Sequence, residues 1–305
     1  MNKEAIIASV ANFTNISTDE ATLACNNHID TIQDNDICSA YDFSFLNDFG
    51  EINTTPTYTT GSVNVVQDSV SVTGITTAWT TATMAGRLIK FLGSDEYYEI
   101  ASIVDGTQDM TLTSAYIGTT DTDEQCEPTY TMYKIYYDLP TDFKKMKAAK
   151  QLVSPNKLLP ISEMTMSNYY PDEFTYSGEI QGYILSGLNS SGTPQIRFYP
   201  YQTTRHRIYI SYVKKLPTIN TTGATSKIPS DKHMLFVYKL NEIIFDMHSM
   251  PTRATKESQK FYNMLNQFIK EDKQINKDSV DVMQSAWLCS TLALPHLNPS
   301  HYSNR

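Results

Sequence analysis

The chain has 305 residues, of which 19% are charged and 40% hydrophobic, and its formal net charge is −9. This composition is typical of a globular protein and excludes a disordered chain. The acidic balance argues against a protein that wraps nucleic acid, because binding to phosphates requires cations. The length suits two domains, or one domain with a large insertion.

The four cysteines, Cys25, Cys38, Cys126 and Cys289, lie far apart and form no C-x-x-C pair. We expect unpaired thiols in a reducing compartment and no metal site. The N-terminal apolar run is too short for a signal peptide, and no stretch is long and apolar enough to cross a membrane. The sequence therefore predicts a protein with no cofactor and no membrane contact.

Two short helices are predicted at the N-terminus. The first covers residues 3–13, and its apolar side chains share one face: Ile6, Ile7, Val10 and Phe13. Ser17 and Glu20 then form an S-x-x-E capping box that opens the second helix. An amphipathic stripe follows along it, formed by Ala21, Ala24, Cys25, His28 and Ile32. His28 is expected to be a hydrogen-bonded core or interface residue, because no second metal ligand stands at helical spacing.

From Gly61 the hydrophobic period becomes two, which predicts β-strands. Alternating valines surround a turn at Gln67–Asp68, a strand pair surrounds Gly93–Asp95, and Met110–Thr113 supplies another strand. About five short strands between Gly61 and Thr113 are typical of a small antiparallel barrel or sandwich. Residues 41–49, which precede them, either continue the helical part or form a docking loop.

The acidic segment 119–129 is predicted to be a solvated loop, since it lacks the glycine and glutamate of an EF-hand in register. Tyr130–Tyr137 is predicted to be one strand, and a basic run follows it: Lys144, Lys145, Lys147 and Lys150. Residues 157–161 and 163–166 are expected to be short extended pieces. A three-stranded meander is predicted from Tyr183–Ser186, Gln195–Tyr199 and Arg207–Val213.

One basic group stands out in the β region, at Arg205, Arg207, Lys214 and Lys215, with His206 between the two arginines. It could face DNA phosphates, or it could form ion pairs with an acidic neighbouring subunit. The second interpretation is preferred, because the chain is acidic overall.

The stretch Ser230–Met247 is predicted to be a helix buried on every face, because apolar residues surround its whole helical wheel. Ser230 is its expected N-cap, and Pro251 marks its end. Glu242 within it is expected to pair with a lysine or arginine rather than to be catalytic. A last helix, residues 252–270, and the two N-terminal helices are the candidates to cover it.

The final segment, residues 276–305, is predicted to be an extended arm that docks on a partner. Its apolar residues have few charged neighbours, and Pro295 and Pro299 prevent one continuous helix to the end. The proposed partner-docking residues are Trp287, Leu288, Leu292, Leu294 and Tyr302. The fold class is therefore α+β: a helical bundle from residues 1–50 and 226–275, an inserted antiparallel β domain at 51–225, and the arm.

The order of several motifs resembles a known family. The runs Gly61–Val65, Val70–Gly74, Gly86–Ile89 and Tyr98–Val104 are similar to a β module of virion proteins of tailed bacteriophages. The continuation resembles the head-to-tail adaptor proteins of short-tailed phages, through Tyr137–Phe143, Gly192–Pro200 and Tyr212–Pro217. The resemblance covers roughly residues 1–275 and leaves out the arm.

The resemblance implies a structural protein of the virion, assembled in the host cytoplasm, and not an enzyme. Such adaptors form a ring, usually twelvefold, between the portal protein and the tail nozzle. The ring lines the channel through which genomic DNA leaves, without sequence-specific binding. An acidic lumen would let DNA slide without sticking.

Two other functions stay open at this point. A tail-associated β protein could bind a host receptor or glycan through exposed tyrosines. A tail hydrolase would need convergent carboxylates, and Asp95, Glu96, Glu99, Asp172 and Glu173 are the candidates. The sequence has no G-x-S-x-G, H-E-x-x-H or P-loop motif, so we expect no catalytic residues.

Overall fold

A computed structural model describes residues 2–84, 86–122, 130–152, 157–169, 178–221 and 223–292, with backbone only for 276–292. It contains both helices and sheets, which confirms the α+β class. The chain divides into two compact units. We call Met1–Asn47 with Lys215–Arg305 the helical unit, and Asp48–Lys214 the β unit.

Six α-helices are found in the described residues: α1 Lys3–Thr14, α2 Thr18–Thr31, α3 Thr81–Met84, α4 Glu163–Tyr169, α5 Met234–Met247 and α6 Pro251–Leu292. A π-helical segment, Ile32–Ile37, continues α2, and 3-10 turns lie at Ser44–Leu46 and Ser230–Lys232. In the helical unit α5 packs against α1, α2 and α6.

The N-terminal helices largely follow their sequence patterns. The Ser17 side chain accepts a hydrogen bond from the Glu20 backbone N–H at 3.2 Å, so the predicted cap is confirmed. The prediction that Phe13 belongs to the buried face of the first helix is wrong. Phe13 is 62% exposed, and Thr14 is buried in its place. The buried row of α1 passes from Val10 to Thr14, one full turn on, and the Thr14 hydroxyl donates to the Val10 carbonyl at 2.7 Å.

The prediction for α5 was too broad in two respects. Ser230 does not cap it, because Ser230–Lys232 form a 3-10 turn and α5 begins at Met234 without a side-chain cap. The helix is also not buried on every face, since Met247 is 62% exposed and Ile243 only partly buried. Three packed helices leave one sector of α5 open to solvent, and the buried residues form the opposite side: Leu235, Phe236, Val237, Leu240, Asn241, Ile244 and Phe245.

The last helix is longer than the sequence analysis predicted. α6 runs unbroken through residue 276 to Leu292, so the extended arm expected to begin at 276 is wrong for residues 276–292. No proline or glycine lies between Pro251 and Leu292, and therefore nothing in the backbone chemistry ends the helix earlier. Residues 293–305 lie outside the described residues.

The aromatic segment after α2 docks on α6. The rings of Phe43 and Phe268 stack with centroids 4.3 Å apart. The buried carboxylate of Asp272 accepts the Ser44 backbone N–H at 3.0 Å and the Ser44 hydroxyl at 2.5 Å. The alternative that residues 41–49 form a docking loop therefore holds for Phe43 and Ser44.

One sheet of the β unit has six strands in the order β2-β3-β6-β5-β4-β7, all antiparallel. The strands are β2 Ser62–Val65, β3 Ser71–Ile75, β4 Arg87–Phe91, β5 Tyr97–Val104, β6 Asp109–Leu112 and β7 Tyr130–Lys134. Both predicted hairpins are present. Trp79 is buried in the hydrophobic core of this sheet, and its indole N–H donates to the Tyr130 hydroxyl at 3.1 Å.

The other sheet has seven strands in the order β1-β13-β9-β10-β11-β12-β8. They are β1 Asn47–Asn53, β8 Tyr137–Asp138, β9 Phe143–Gln151, β10 Lys157–Pro160, β11 Gly182–Leu188, β12 Pro194–Tyr199 and β13 Arg207–Lys214. Its core side is lined by Tyr183, Ile196, Phe198, Ile208, Ile210 and Tyr212.

Four sequence predictions for this sheet are corrected. Tyr130–Tyr137 is not one strand, because β7 and β8 belong to different sheets. Residues 163–166 lie in helix α4, and β10 pairs with β11 in parallel, so the sheet is not wholly antiparallel. The predicted meander is confirmed for its first hairpin, β11 with β12, but its third strand is wrong, since β13 pairs with β9 and not with β12. Turn residues indicate where a chain reverses, but not which strand it then joins.

Candidate partner-binding surfaces

The basic group predicted on β13 is neutralised within the chain. Arg207 donates two hydrogen bonds of 2.8 Å to the carboxylate of Glu51, and Lys214 donates to Asp48 at 2.9 Å. These hydrogen bonds lower the pKa of both carboxyl groups. The anionic partners that were assigned to a neighbouring subunit are thus supplied, for these two cations, by β1.

The rest of that group is exposed. Arg205 and Lys215 both face solvent, and Lys215 belongs to the helical unit. Contact of this group with DNA or with a neighbouring subunit stays a prediction.

A second basic surface lies on β9 and β10. The sequence analysis recorded four of its lysines as a basic run but did not predict the strand that carries them. This surface consists of five exposed lysines: Lys144, Lys145, Lys147, Lys150 and Lys157. We call it the lysine face. Lys157 and Lys150 are direct partners in the antiparallel register, so they lie side by side on the same surface of the sheet.

Two β-bulges bring the β9 lysines to one surface. Strict alternation would send Lys144 and Lys150 to one side and Lys145 and Lys147 to the other. The register with β13 shifts between Ser211 and Tyr212 and again between Val213 and Lys214. Each shift inserts one extra residue into β9 relative to β13, Lys147 at the first and Lys144 at the second, and a bulge re-aims the side chains beside it. Phe143 and Ala149 remain buried on the core side.

An acidic surface lies in the turns at one end of the six-stranded sheet, whereas the lysine face lies on strands. The β2–β3 turn, the β4–β5 turn and the segment after β6 all meet at this edge, as the strand registers require. They carry Asp68, Asp95, Glu96 and Asp121, of which the first three are exposed and the last is partly buried. We call these four residues the acidic edge.

The carboxylates that a tail hydrolase would need do not lie on one element in the described residues. Asp95 and Glu96 lie in the β4–β5 turn, whereas Glu99 lies within β5. Glu99 lines a cleft of about 630 Å³ together with Arg87, Lys134 and Asp138. Burial lowers the pKa of both Arg87 and Lys134. Asp172 and Glu173 lie outside the described residues.

Three tyrosines form a chain of ring contacts on the β unit. Tyr133 lies edge-to-face against Tyr97 at 5.9 Å and against Tyr201 at 5.2 Å. The Lys90 ammonium lies over the ring of Tyr97 at 4.8 Å. All three tyrosines are partly buried.

Other predicted residues are placed as follows. Glu242 pairs with Lys239 at 3.1 Å, as expected. His28 is partly buried in α2. Cys25 and Cys38 are both buried. Trp287, Leu288 and Leu292 lie in α6 with side chains outside the described set, and Leu294, Tyr302 and Cys126 lie outside the described residues altogether.

The described ranges contain neither a candidate metal site nor a candidate membrane-spanning helix. No group of three or more His, Cys, Asp or Glu side chains there could hold a metal ion. No described helix combines the length and apolar character that crossing a bilayer requires.

The architecture defines a class: an α+β protein whose two chain ends build a helical unit and whose middle builds a β unit with charged surfaces. The family model of the SU10 adaptor protein matches residues 79–284, about two thirds of the chain. The protein therefore belongs to the SU10 adaptor protein family, and it is a virion component that associates with other phage head and tail proteins. No curated protein matches it.

Proposed function

We propose that the protein is a structural head-to-tail adaptor that forms a ring, twelvefold in the expected case, between the portal and the tail nozzle. The observation that carries this proposal is the family match, which runs from Trp79 in the β unit into α6 of the helical unit. In this proposal the ring lines the channel for leaving DNA and performs no chemistry.

Two further features support the proposal. The contacts of α5 with α1, α2 and α6 fit a helical bundle made from both chain ends. The net charge of −9 fits a channel that repels DNA phosphates, so that the genome passes without sequence-specific binding.

The C-terminal part of α6 is proposed to dock on a neighbouring adaptor or on a tail protein. A helix of 42 residues is roughly 63 Å long. The packing with α5 spans only the 14 residues of that shorter helix, so the end of α6 reaches well past it. Trp287, Leu288 and Leu292 lie on that end, and Leu294 and Tyr302 follow it in sequence.

The direct test is assembly with the cognate portal. Purified protein and portal particles should co-sediment as a complex whose mass gives the number of adaptors per portal. Electron micrographs should show a ring below the portal. The proposal fails if the protein stays monomeric with the portal present and virions that lack it still carry tails.

Truncation tests the docking role of α6. A chain that lacks residues 280–305 should keep its melting temperature but lose ring stability or tail attachment. Deletion of 293–305 alone leaves α6 intact but removes Leu294 and Tyr302, so it separates the contribution of these two residues from that of the helix end. If the longer deletion unfolds the isolated chain, these residues belong to its own core and the docking role is wrong.

A second candidate is a tail-associated protein that binds a host receptor or glycan. The ring contacts of Tyr97, Tyr133 and Tyr201 favour it, because such tyrosines can pack against sugar rings. Labelled protein would then bind host cells or surface polysaccharide. We expect neither binding nor turnover of host polysaccharide, and detection of either would displace the adaptor proposal.

A further inference from the structure

We propose that the lysine face of one copy of this protein docks against the acidic edge of the next copy. The contact is head-to-tail, with a different surface contributed by each side. The inference rests on the proposed ring and names the charged surfaces that would close it.

The geometry of β9 and β10 shows a surface built for an anionic partner. Lys150 and Lys157 are directly opposite each other, and like charges in that position destabilise a sheet. The two bulges of β9 add Lys144 and Lys147 to the same surface, although each bulge interrupts the ladder with β13. An approaching group of carboxylates relieves this repulsion.

The cations of β13 differ from Lys150 and Lys157, because they are neutralised by carboxylates of the same chain. The Arg207 and Lys214 cations of β13 have carboxylates of β1 at 2.8 and 2.9 Å. The direct cross-strand partners of Lys150 are instead Lys157 on β10 and Tyr209 on β13, and neither is a carboxylate. The positive charge of the seven-stranded sheet is therefore concentrated away from β1.

A second copy of the chain is the occupant that charge complementarity favours. The acidic edge offers Asp68, Asp95, Glu96 and Asp121 on three neighbouring segments of the six-stranded sheet. It lies on a different sheet from the lysine face, so one copy can use both surfaces at once. A contact between two unlike surfaces repeats from copy to copy, and it closes into a ring when the rotation allows.

DNA is the other polyanion that could meet these lysines, and the acidic composition disfavours it. The chain as a whole carries −9, so a duplex that approached the lysine face would also be repelled by the net charge of the protein. A second copy turns the same acidic residues into the attractive partner.

The test is a charge swap. A Lys150→Glu/Lys157→Glu variant should reduce the number of adaptors bound per portal, with association at least about tenfold weaker. The reversed pair is still a like-charge pair, so the melting temperature of the isolated chain should stay near that of the wild type. A second variant, Asp68→Lys/Asp95→Lys/Glu96→Lys, should show the same loss. The two sets combined in one chain should restore assembly.

A single substitution separates folding from assembly. Lys157→Glu creates an opposite-charge pair with Lys150, and it should therefore raise the melting temperature while it weakens association. The matched control is Lys227→Glu/Lys256→Glu, which reverses two exposed lysines of the helical unit. Its assembly should equal that of the wild type. The wild-type assembly should also weaken as salt is raised.

The outcomes separate this inference from the proposed function. If the wild type forms no ring with the portal, the adaptor ring itself fails. If the wild type forms rings and the lysine variant forms them equally well, only the docking inference is overturned. It is also overturned if the combined variant does not recover, because the lysines then serve the portal or DNA.

Discussion

Charged side chains are handled differently in the helical unit and on the lysine face. In the helical unit, the buried Lys232 has Glu271 at 2.5 Å and Asp231 at 2.9 Å, and Asp272 holds Ser44. Burial acts to lower the pKa of Lys232, but the hydrogen bonds that its ammonium donates to these carboxylates outweigh this effect, and the pKa is raised. On the lysine face, Lys150 stands directly beside Lys157.

This difference in charge pairing indicates that the polar groups of the helical unit serve folding, whereas the lysine face serves contact with a partner. Polar groups in the helical unit satisfy one another, as a folding core requires. The lysine face leaves like charges adjacent, which costs stability in the isolated chain and suits contact with something else. Substitutions in the first region should therefore change stability, and those in the second should change association.

The largest effect is expected from Leu235→Asp in α5. Leu235 is 0% exposed, so the new carboxylate would be buried without a partner, at a cost of several kcal/mol. The helical unit should not fold, and circular dichroism should show the loss of helix. Met247→Asp, at a residue that is 62% exposed, is the control and should fold normally. A soluble Leu235→Asp variant with full helicity would contradict the packing of α5.

The next largest effect is a pH dependence of the free energy of unfolding, caused by the Cys25 thiol. Burial raises the pKa of this thiol from 9.0 to about 11. Below pH 9 the thiol is protonated in both states, and its stabilising contribution is complete. As the pH rises from about 9 to about 11 the unfolded chain loses the proton first, and up to about 3 kcal/mol is lost.

A Cys25→Ala variant isolates this contribution. Its free energy of unfolding should fall less between pH 9 and 11 than that of the wild type, as measured by urea titration at each pH. Parallel curves for the two proteins would contradict the buried thiol. The variant's lower stability at neutral pH, from the lost side chain, does not affect this slope.

Asp272→Ala should have a smaller effect within the helical unit. It removes the acceptor for the Ser44 backbone N–H and hydroxyl, and a loss of about 1–3 kcal/mol is expected. Thermal unfolding measures it, and Lys270→Ala, at an exposed position of the same helix, is the control. Equal melting temperatures for the two variants would mean that Ser44 is not held by α6.

The smallest effect is expected from Arg207→Gln on β13. Its ion pair with Glu51 is solvent-exposed, and such pairs contribute little to stability. Both the melting temperature and the assembly with portal should stay close to those of the wild type. If Arg207→Gln weakened assembly as strongly as Lys150→Glu/Lys157→Glu, the distinction between the two basic surfaces would disappear.

Local features of the fold were predictable from the sequence alone. The Ser17 cap, the hairpin around Gln67–Asp68 and the pair β4–β5 depend on residues a few positions apart. Their signals, a capping oxygen and a period of two beside turn residues, act over that same short range. The order of the motifs also sufficed to indicate the adaptor family.

Only the tertiary structure decided which strands pair and where the charges lie. β9 escaped the sequence analysis because its lysines break the alternation, and the two bulges that explain this depend on β13, about 60 residues away in the chain. Without β9, the partner of β13 could not be named, and the neutralisation of Arg207 by β1 could not be foreseen. The net charge is a property of composition, whereas its division between a lysine face and an acidic edge is a property of long-range strand register.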